Sequence, residues 1–175
     1  MCQTVAQLSD TTTLELSMST TSTFNDYLQC PLGLLEIQAS AHHLVAIKFV
    51  SDYSLIENTN IITAKTKEQL IEYFAGSRQQ FDLPLGAKGT QFQQQVWQHL
   101  CKIPYATTCS YSDIAQAIHN PKAVRAVGAA NGRNPITIIV PCHRVIGSNG
   151  SLTGYAWGTA IKAALLQHEQ NNIHR

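Results

Sequence analysis

The sequence predicts an α/β N-terminal domain, an antiparallel sheet plus a helix, followed by a mainly α C-terminal domain that carries a helix-turn-helix. Three observations predict it. Three short β-like runs lie between residues 27 and 50, helical spacings dominate from Thr90 to Asn131, and the charge balance reverses near Pro84.

Residues 1–22 are rich in Thr, Ser and Gln without periodicity and read as a flexible leader. The N-terminal domain, 23–84, then opens with β-like runs at 27–30, 34–40 and 44–50. Pro31-Leu32-Gly33 and Ala41-His42-His43 separate them, which predicts an antiparallel meander with both histidines in a turn. A helix is expected over 63–75, with Leu70, Ile71 and Phe74 as its apolar stripe and Gly76 ending it. The Pro- and Gly-containing stretch 83–89 is the candidate linker to a C-terminal domain over 85–175. There Thr90 caps a helix in which Phe92, Val96 and Leu100 recur every four residues, with Trp97 beside them in the core, and Pro104-Tyr105-Ala106 breaks it.

Composition narrows the function. No apolar run approaches the roughly 20 residues of a spanning helix, and the start, MCQTVAQLSD, lacks a signal peptide's pattern. No membrane partner and a cytoplasmic protein, nuclear in a eukaryotic source, are therefore expected. Five cysteines, an odd number without a CxxC pair, suggest reduced thiols and no metal. Cys2, Cys30, His42 and His43 are too irregularly spaced for a zinc set. The net charge of +1 hides an asymmetry: Met1 to Pro84 carries four Lys/Arg and nine Asp/Glu, Leu85 to Arg175 eight and two. A basic C-terminal part facing phosphate is the expectation.

Within that part Ser112 reads as the cap of a short helix ending at Ile118, and His119-Asn120-Pro121 supplies a turn, a new cap and a proline for the next helix, Lys122 to about Asn131. This is helix-turn-helix spacing. The second helix is built from small residues, among them Ala123, Ala126 and Gly128, where a reader of base edges would carry Asn, Gln and Arg. Close approach to DNA with little sequence specificity follows. Two uses are open to its long cation Arg125: entering a base stack, or touching phosphate.

The chemistry concentrates further on. Asn131 to Pro135 forms a polar turn that includes Arg133 and Asn134, and 136–140 (ITIIV) reads as a buried strand leading into Pro141-Cys142-His143-Arg144-Val145. A cysteine at a strand end between Pro and His suits a partly covered reactive thiol, and a structural core cysteine is the alternative. A glycine-punctuated loop follows, Ser151-Leu152-Thr153-Gly154-Tyr155-Ala156-Trp157-Gly158, able to wall a small pocket. The last helix, 159–170, turns Ile161, Leu165 and Leu166 to the core; Glu169 shares their face and needs a partner, for which His143 is available.

PCHRV (141–145), with NGRNP before it and GSLTGYAWG and the HE pair after it, resembles the O6-alkylguanine-DNA alkyltransferase family. The resemblance runs from about Gln29 to Glu169 and includes PLGLLEI. It implies a ribonuclease H-like N-terminal domain and a winged-helix-like C-terminal one. Cys142 then matches the alkyl acceptor, His143 the histidine that takes the thiol proton through a water, and Glu169 the carboxylate behind it. Asn134 matches an asparagine bridging the helix-turn-helix to the active site, and Tyr111 the tyrosine beside the flipped nucleotide. Arg125 matches the arginine that fills the vacated stack; Lys122, Ala123, Ala126 and Arg133 accompany it on the DNA side. Tyr155, with Ser151, Gly154 and Trp157, matches the pocket wall. Two positions depart from the family: Ala106 where many members have Gly, and Trp157 where many have a smaller residue.

The implied activity is direct-reversal repair, in which an alkyl group passes once and irreversibly from O6-alkylguanine in double-stranded DNA to Cys142; whether O4-alkylthymine is also a substrate is left open by the sequence. Minor-groove binding as a monomer without a cofactor accompanies it. A non-catalytic module that only binds alkylated DNA is the main rival, and it would lack the acceptor cysteine. A cysteine hydrolase is a weaker one, since adjacent nucleophile and base suit acyl transfer poorly and no oxyanion motif is present. The Ala-rich helix argues against a transcription factor.

Overall fold

The computed structural model describes residues 23–53 and 56–173; the leader expected over 1–22, and Cys2 within it, lie outside them. Strands β1 (Phe24–Cys30), β2 (Gly33–Ala39) and β3 (Leu44–Val50) form an antiparallel sheet in sequence order, with Leu28 opposite Leu35 and Ile37 opposite Ile47. His42 and His43 sit in the turn between β2 and β3, where the backbone N–H of each donates to Ser40 Oγ.

Helix α1 (Ile61–Phe74) starts earlier than its apolar spacing indicates, because Asn60 Oδ1 accepts from the N–H of Ile62 and Thr63. Its buried face is Thr63, Thr66, Gln69, Leu70 and Tyr73. Ile71, expected in the stripe, is 52% exposed. Apolar spacing misjudges this helix because the buried polar groups are already bonded: Thr66 donates to the Ile62 carbonyl, and Gln69 exchanges two bonds with the Asp82 backbone. Gly76, at φ +77°, ends the α1 region and leaves room for Asn172; a Cβ there would lie 2.2 Å from Asn172 Oδ1.

The stretch 83–89 runs along β3, with Leu44 N–H donating to Pro84 O and Gly86 N–H to Leu44 O. Helix α2 (Gln91–Leu100) begins at the Thr90 cap as its sequence predicts and buries Val96, Trp97 and Leu100; the indole N–H donates to Ala130 O at 2.9 Å. Beyond it come β4 (Cys109–Ser110), α3 (Tyr111–Ala117), α4 (Val124–Gly132), a 3-10 turn (Cys142–Arg144), β5 (Val145–Ile146) and α5 (Thr159–Asn171), with β4 and β5 parallel. The C-terminal part is thus mainly helical, and α3 and α4 make the helix-turn-helix.

Three expectations fail here. Ser110, not Ser112, caps α3: it accepts from Asp113 N–H, and Asp113 accepts from Ser110 N–H in return. Helix α4 begins at Val124, so Lys122 and Ala123 precede it; Asn120 offers no side-chain cap, its carbonyl instead taking the Ala123 N–H. Residues 136–140 form no strand. Only Ile136 bridges β3, through Ile47, after which Ile139 N–H donates to Thr137 O and Val140 N–H to Ile136 O. Ile138 is left at φ +72°, a strained region for a β-branched residue. The run is apolar because it is buried, not because it belongs to a ladder, and its tight turns point the following residues back into the molecule.

One buried apolar cluster joins the two parts. It includes Ile37, Leu44 and Ile47 from the sheet, Leu70 and Tyr73 from α1, Val96 and Leu100 from α2, and Ile136, Cys142 and Leu165.

Candidate active site

Cys142 opens the 3-10 turn and is 4% exposed. Asn134 Nδ2 donates to its Sγ at 3.0 Å and to Val140 O at 2.7 Å, while Asn134 Oδ1 accepts from Ile136 N–H. One amide therefore ties the end of α4 to the turn and to the sulfur. Asn131, on α4, donates to the Cys142 carbonyl. Burial pushes the thiol above the ordinary cysteine value, while hydrogen bonds from Asn134 and Thr137 and the charge of Lys162 pull it down.

His143 is fully buried, and its Nε2 lies 2.9 Å from Glu169 Oε1. Burial lowers the imidazole's pKa and the carboxylate raises it, with the net shift downward. The contact is thus a hydrogen bond from a neutral ring near pH 7 rather than an ion pair. With an ionised carboxylate on Nε2 the proton belongs there, which leaves Nδ1 as acceptor. Nδ1 is buried and has no hydrogen-bond partner among the described residues.

Glu169 is also fully buried, and its partners exceed the one histidine expected of it. Oε1 accepts from Tyr73 Oη at 3.0 Å and Arg144 Nη2 at 2.9 Å; Oε2 accepts from Ala106 N–H at 2.9 Å and Arg144 Nε at 3.0 Å. Burial pushes its pKa up, but His143 and Arg144 outweigh that and hold it at about 2. Arg144, whose Nη1 reaches Ile103 O, supplies the positive charge. Ala106 takes φ +55° and aims its N–H at the carboxylate.

Tyr111 begins α3, and its hydroxyl donates to Thr153 O at 2.8 Å. Lys162, wholly buried on α5, donates to the same carbonyl at 2.8 Å and lies 3.4 Å from the Tyr111 hydroxyl. Tyr155 is buried with its hydroxyl 2.8 Å from Thr137 Oγ1. Gly154 (φ +67°) brings the loop close to Tyr111, for a Cβ there would stand 3.0 Å from the phenol oxygen. Trp157 turns to the sheet, edge-on to Phe49 at 5.9 Å. The Ser151 hydroxyl is directed to Asn149 Oδ1 within its own turn. Arg125 and Ala126 are exposed on α4, with Arg133 at its C-terminus and Lys122 in the preceding turn. Ala123, just before α4, is half-buried.

Sequence reading missed Arg144, Tyr73, Thr137 and Lys162. For Lys162 a signal existed, since Lys162, Leu165 and Glu169 stand three and seven apart on one helix face. For Arg144 the signal was the charge a buried Glu169 needs balanced. Nothing local marks Tyr73 or Thr137. A cleft of about 630 Å³ lies on the Arg144 side, lined among others by Phe81, Leu83, Tyr105 and Pro141; Cys142, Tyr111 and Tyr155 do not line it. Among the described residues no group of three His, Cys, Asp or Glu could hold a metal.

Comparison with known proteins gives a consistent result. The family "6-O-methylguanine DNA methyltransferase, ribonuclease-like domain" matches residues 24–87, and "6-O-methylguanine DNA methyltransferase, DNA binding domain" matches 91–171. The methylated-DNA–protein-cysteine methyltransferase of Methanosarcina barkeri is 44% identical over 156 residues, covering 86% of this chain and 99% of that one. Its counterpart from Methanosarcina mazei is 54% identical over 147 residues, 82% and 92% of the two chains. The crystal structure of Mycobacterium tuberculosis O6-methylguanine methyltransferase superposes with a TM-score of 0.79 at 40% identity, over 86% of this chain and 94% of that one. The same enzyme in complex with DNA gives 0.79 at 42% identity, over 85% and 94%.

Proposed function

This chain belongs to the 6-O-methylguanine DNA methyltransferase family and is a DNA-binding protein-cysteine methyltransferase that repairs DNA by direct reversal, and we propose that Cys142 is its acceptor. The observation that carries this assignment is that Cys142, His143 and Glu169 are all buried, the residue next to the thiol being a histidine backed by a fixed carboxylate.

In the proposed reaction His143 Nδ1 takes the thiol proton through a water, and the sulfur attacks the saturated carbon on guanine O6. A carbon–sulfur bond forms as the carbon–oxygen bond breaks, and the electron pair returns to the base. Guanine leaves neutral by gaining one proton, for which the Tyr111 hydroxyl is the donor, re-supplied finally from the imidazolium or solvent. Asn134 steadies the sulfur throughout. Burial disfavours both thiolate and imidazolium, so the nearby Lys162 and the Glu169–His143 bond are what make charge separation accessible. The thioether has no ready leaving group, and each molecule acts once.

A thiol 4% exposed cannot meet a stacked base, so the nucleotide is extruded, at a cost of a few kcal/mol. Exposed Arg125 and Ala126 on α4 support close minor-groove contact with little sequence specificity, Arg125 filling the vacated stack, Lys122 and Arg133 flanking it on phosphate, and the small Ala123 leaving room for the backbone to approach. Tyr155 and Gly154 wall the base beside Tyr111, while Trp157 braces the loop on Phe49 and the Ser151 hydroxyl holds its own turn. The protein works as a monomer built from an N-terminal domain (23–84) and a DNA-facing domain (85–175), in the cytoplasm or, in a eukaryotic source, the nucleus. No helix of the described residues is long and apolar enough to cross a membrane.

Intact mass after mixing with a duplex containing O6-methylguanine tests the reading, followed by peptide mapping. One methyl increment on Cys142 is expected. Label on Cys101 or Cys109 with Cys142 unmodified would overturn the assignment, and an unchanged mass with tight binding would favour a non-catalytic module.

A further inference from the structure

The carboxylate behind His143 is held from an unexpected direction. Tyr73 lies near the end of α1, on the N-terminal side of the molecule, and its hydroxyl reaches Glu169 Oε1 at 3.0 Å. His143 Nε2 donates to that same oxygen at 2.9 Å. All three residues are fully buried. We propose that Tyr73 is a positioning residue of the Cys142–His143–Glu169 relay, its hydroxyl fixing the carboxylate oxygen that orients the imidazole. The proposal rests on the alkyl-transfer reading above.

The phenol is fixed as a donor. Burial and the charge of Glu169 push its pKa well above the ordinary tyrosine value, so it keeps its proton throughout the working range. Its ring is held by Phe74, Phe81, Tyr105 and His168, at centroid distances of 5.2, 5.6, 6.2 and 5.0 Å. Its carbonyl accepts from His168 Nε2 at 2.8 Å, the residue before Glu169. Tyr73 therefore grips α5 through main chain, ring and hydroxyl. A buried tyrosine needs some acceptor, and neutral carbonyls would serve; here the acceptor is the one carboxylate that backs the base.

The other titratable or charged groups facing the relay are Arg144 in the 3-10 turn, Tyr105 beside it, Tyr111 on α3, Tyr155 in the loop and Lys162 on α5. None of them bonds to the Tyr73 hydroxyl, whose partner is Glu169 Oε1. Removing that hydroxyl takes one neutral donor from Oε1 and leaves Arg144, the Ala106 N–H and His143 on the carboxylate. The remaining donors then meet a stronger acceptor, the imidazole becomes more basic, and the thiol ionises at lower pH.

The experiment follows the rate of Cys142 alkylation by iodoacetamide against pH, read by peptide mass, in wild type and Tyr73→Phe, with methyl transfer from duplex DNA measured in parallel. Tyr73→Phe should lower the midpoint by roughly half a pH unit. Should that variant fold poorly, 3-fluorotyrosine placed at position 73 keeps the ring and donates more strongly, and should raise the midpoint instead. An unmoved midpoint in either folded protein overturns the proposal, since a purely structural tyrosine would change melting temperature and leave the thiol titration alone. Wild type that takes no methyl from DNA would overturn the functional reading, while the iodoacetamide midpoints would still decide the role of Tyr73.

Discussion

At the scale of single residues, Glu169 carries the largest electrostatic consequence. Its carboxyl is held at about 2 against an ordinary 4.5. A depressed folded-state value adds stability above the ordinary pKa, and that stability is lost as pH falls from about 4.5 toward 2, an effect of about 3 kcal/mol. Glu169→Gln should remove this pH dependence. It should also cost about 3–5 kcal/mol at neutral pH, because Arg144 would be left buried without its counter-charge. Urea denaturation of both proteins between pH 2 and 7 checks this, and parallel pH curves would reject Glu169 as the source. Ala106 offers the opposite case: at φ +55° an alanine is strained by about 1–2 kcal/mol, and glycine is not. Ala106→Gly should raise stability by up to about 1 kcal/mol after its extra unfolded-state entropy, with the Glu169 bond retained. A clear loss in melting temperature would show that the strain is not there.

At the scale of elements, the helix-turn-helix depends on a cap that sits two residues earlier than the serine nearest the apolar run suggests. Ser110→Ala should destabilise by about 1 kcal/mol, since the Ser110–Asp113 box satisfies two N–H groups at the start of α3. Ser112→Ala, inside the helix, should change stability by less than about 0.5 kcal/mol. Equal losses for the two would contradict the cap. On α4 the test concerns Arg125, exposed on a helix otherwise made of small residues and one asparagine. If it fills an extruded nucleotide's space, Arg125→Ala should slow single-turnover repair of saturating duplex far more than transfer from free O6-benzylguanine, which needs no extrusion. A phosphate contact would instead weaken all DNA binding and cut the salt slope by about one unit, leaving the saturated rate intact.

At the scale of the molecule, the two parts are joined by bonds and packing that neither has alone. Ile47 N–H donates to Pro135 O, Tyr73 reaches Glu169, Gln79 donates to Asn172 O, and one apolar cluster runs through both. Unfolding should therefore be a single transition by far-UV circular dichroism and by fluorescence of Trp97 and Trp157. Two separated transitions would show that the shared cluster contributes little to either part.

The amino-acid sequence by itself determined the meander, the Thr90-capped helix and the two-helix unit, and it supplied the cysteine, histidine and carboxylate that we propose as the site. Those are written in local signals: alternation, caps, turn residues and a motif of contiguous residues. It misplaced what local signals do not encode. The run at 136–140 is apolar and β-branched, and only packing decides that it turns instead of pairing. Ile71 has the right spacing for the core, yet Thr66 and Gln69 take that face because distant or backbone partners satisfy them. The buried carboxylate announces a need for partners without naming them, since a side chain's demand is local while its supply comes from wherever the chain folds back. Arg144, the Ala106 N–H and, 96 residues away, the hydroxyl of Tyr73 meet that demand only in the tertiary structure.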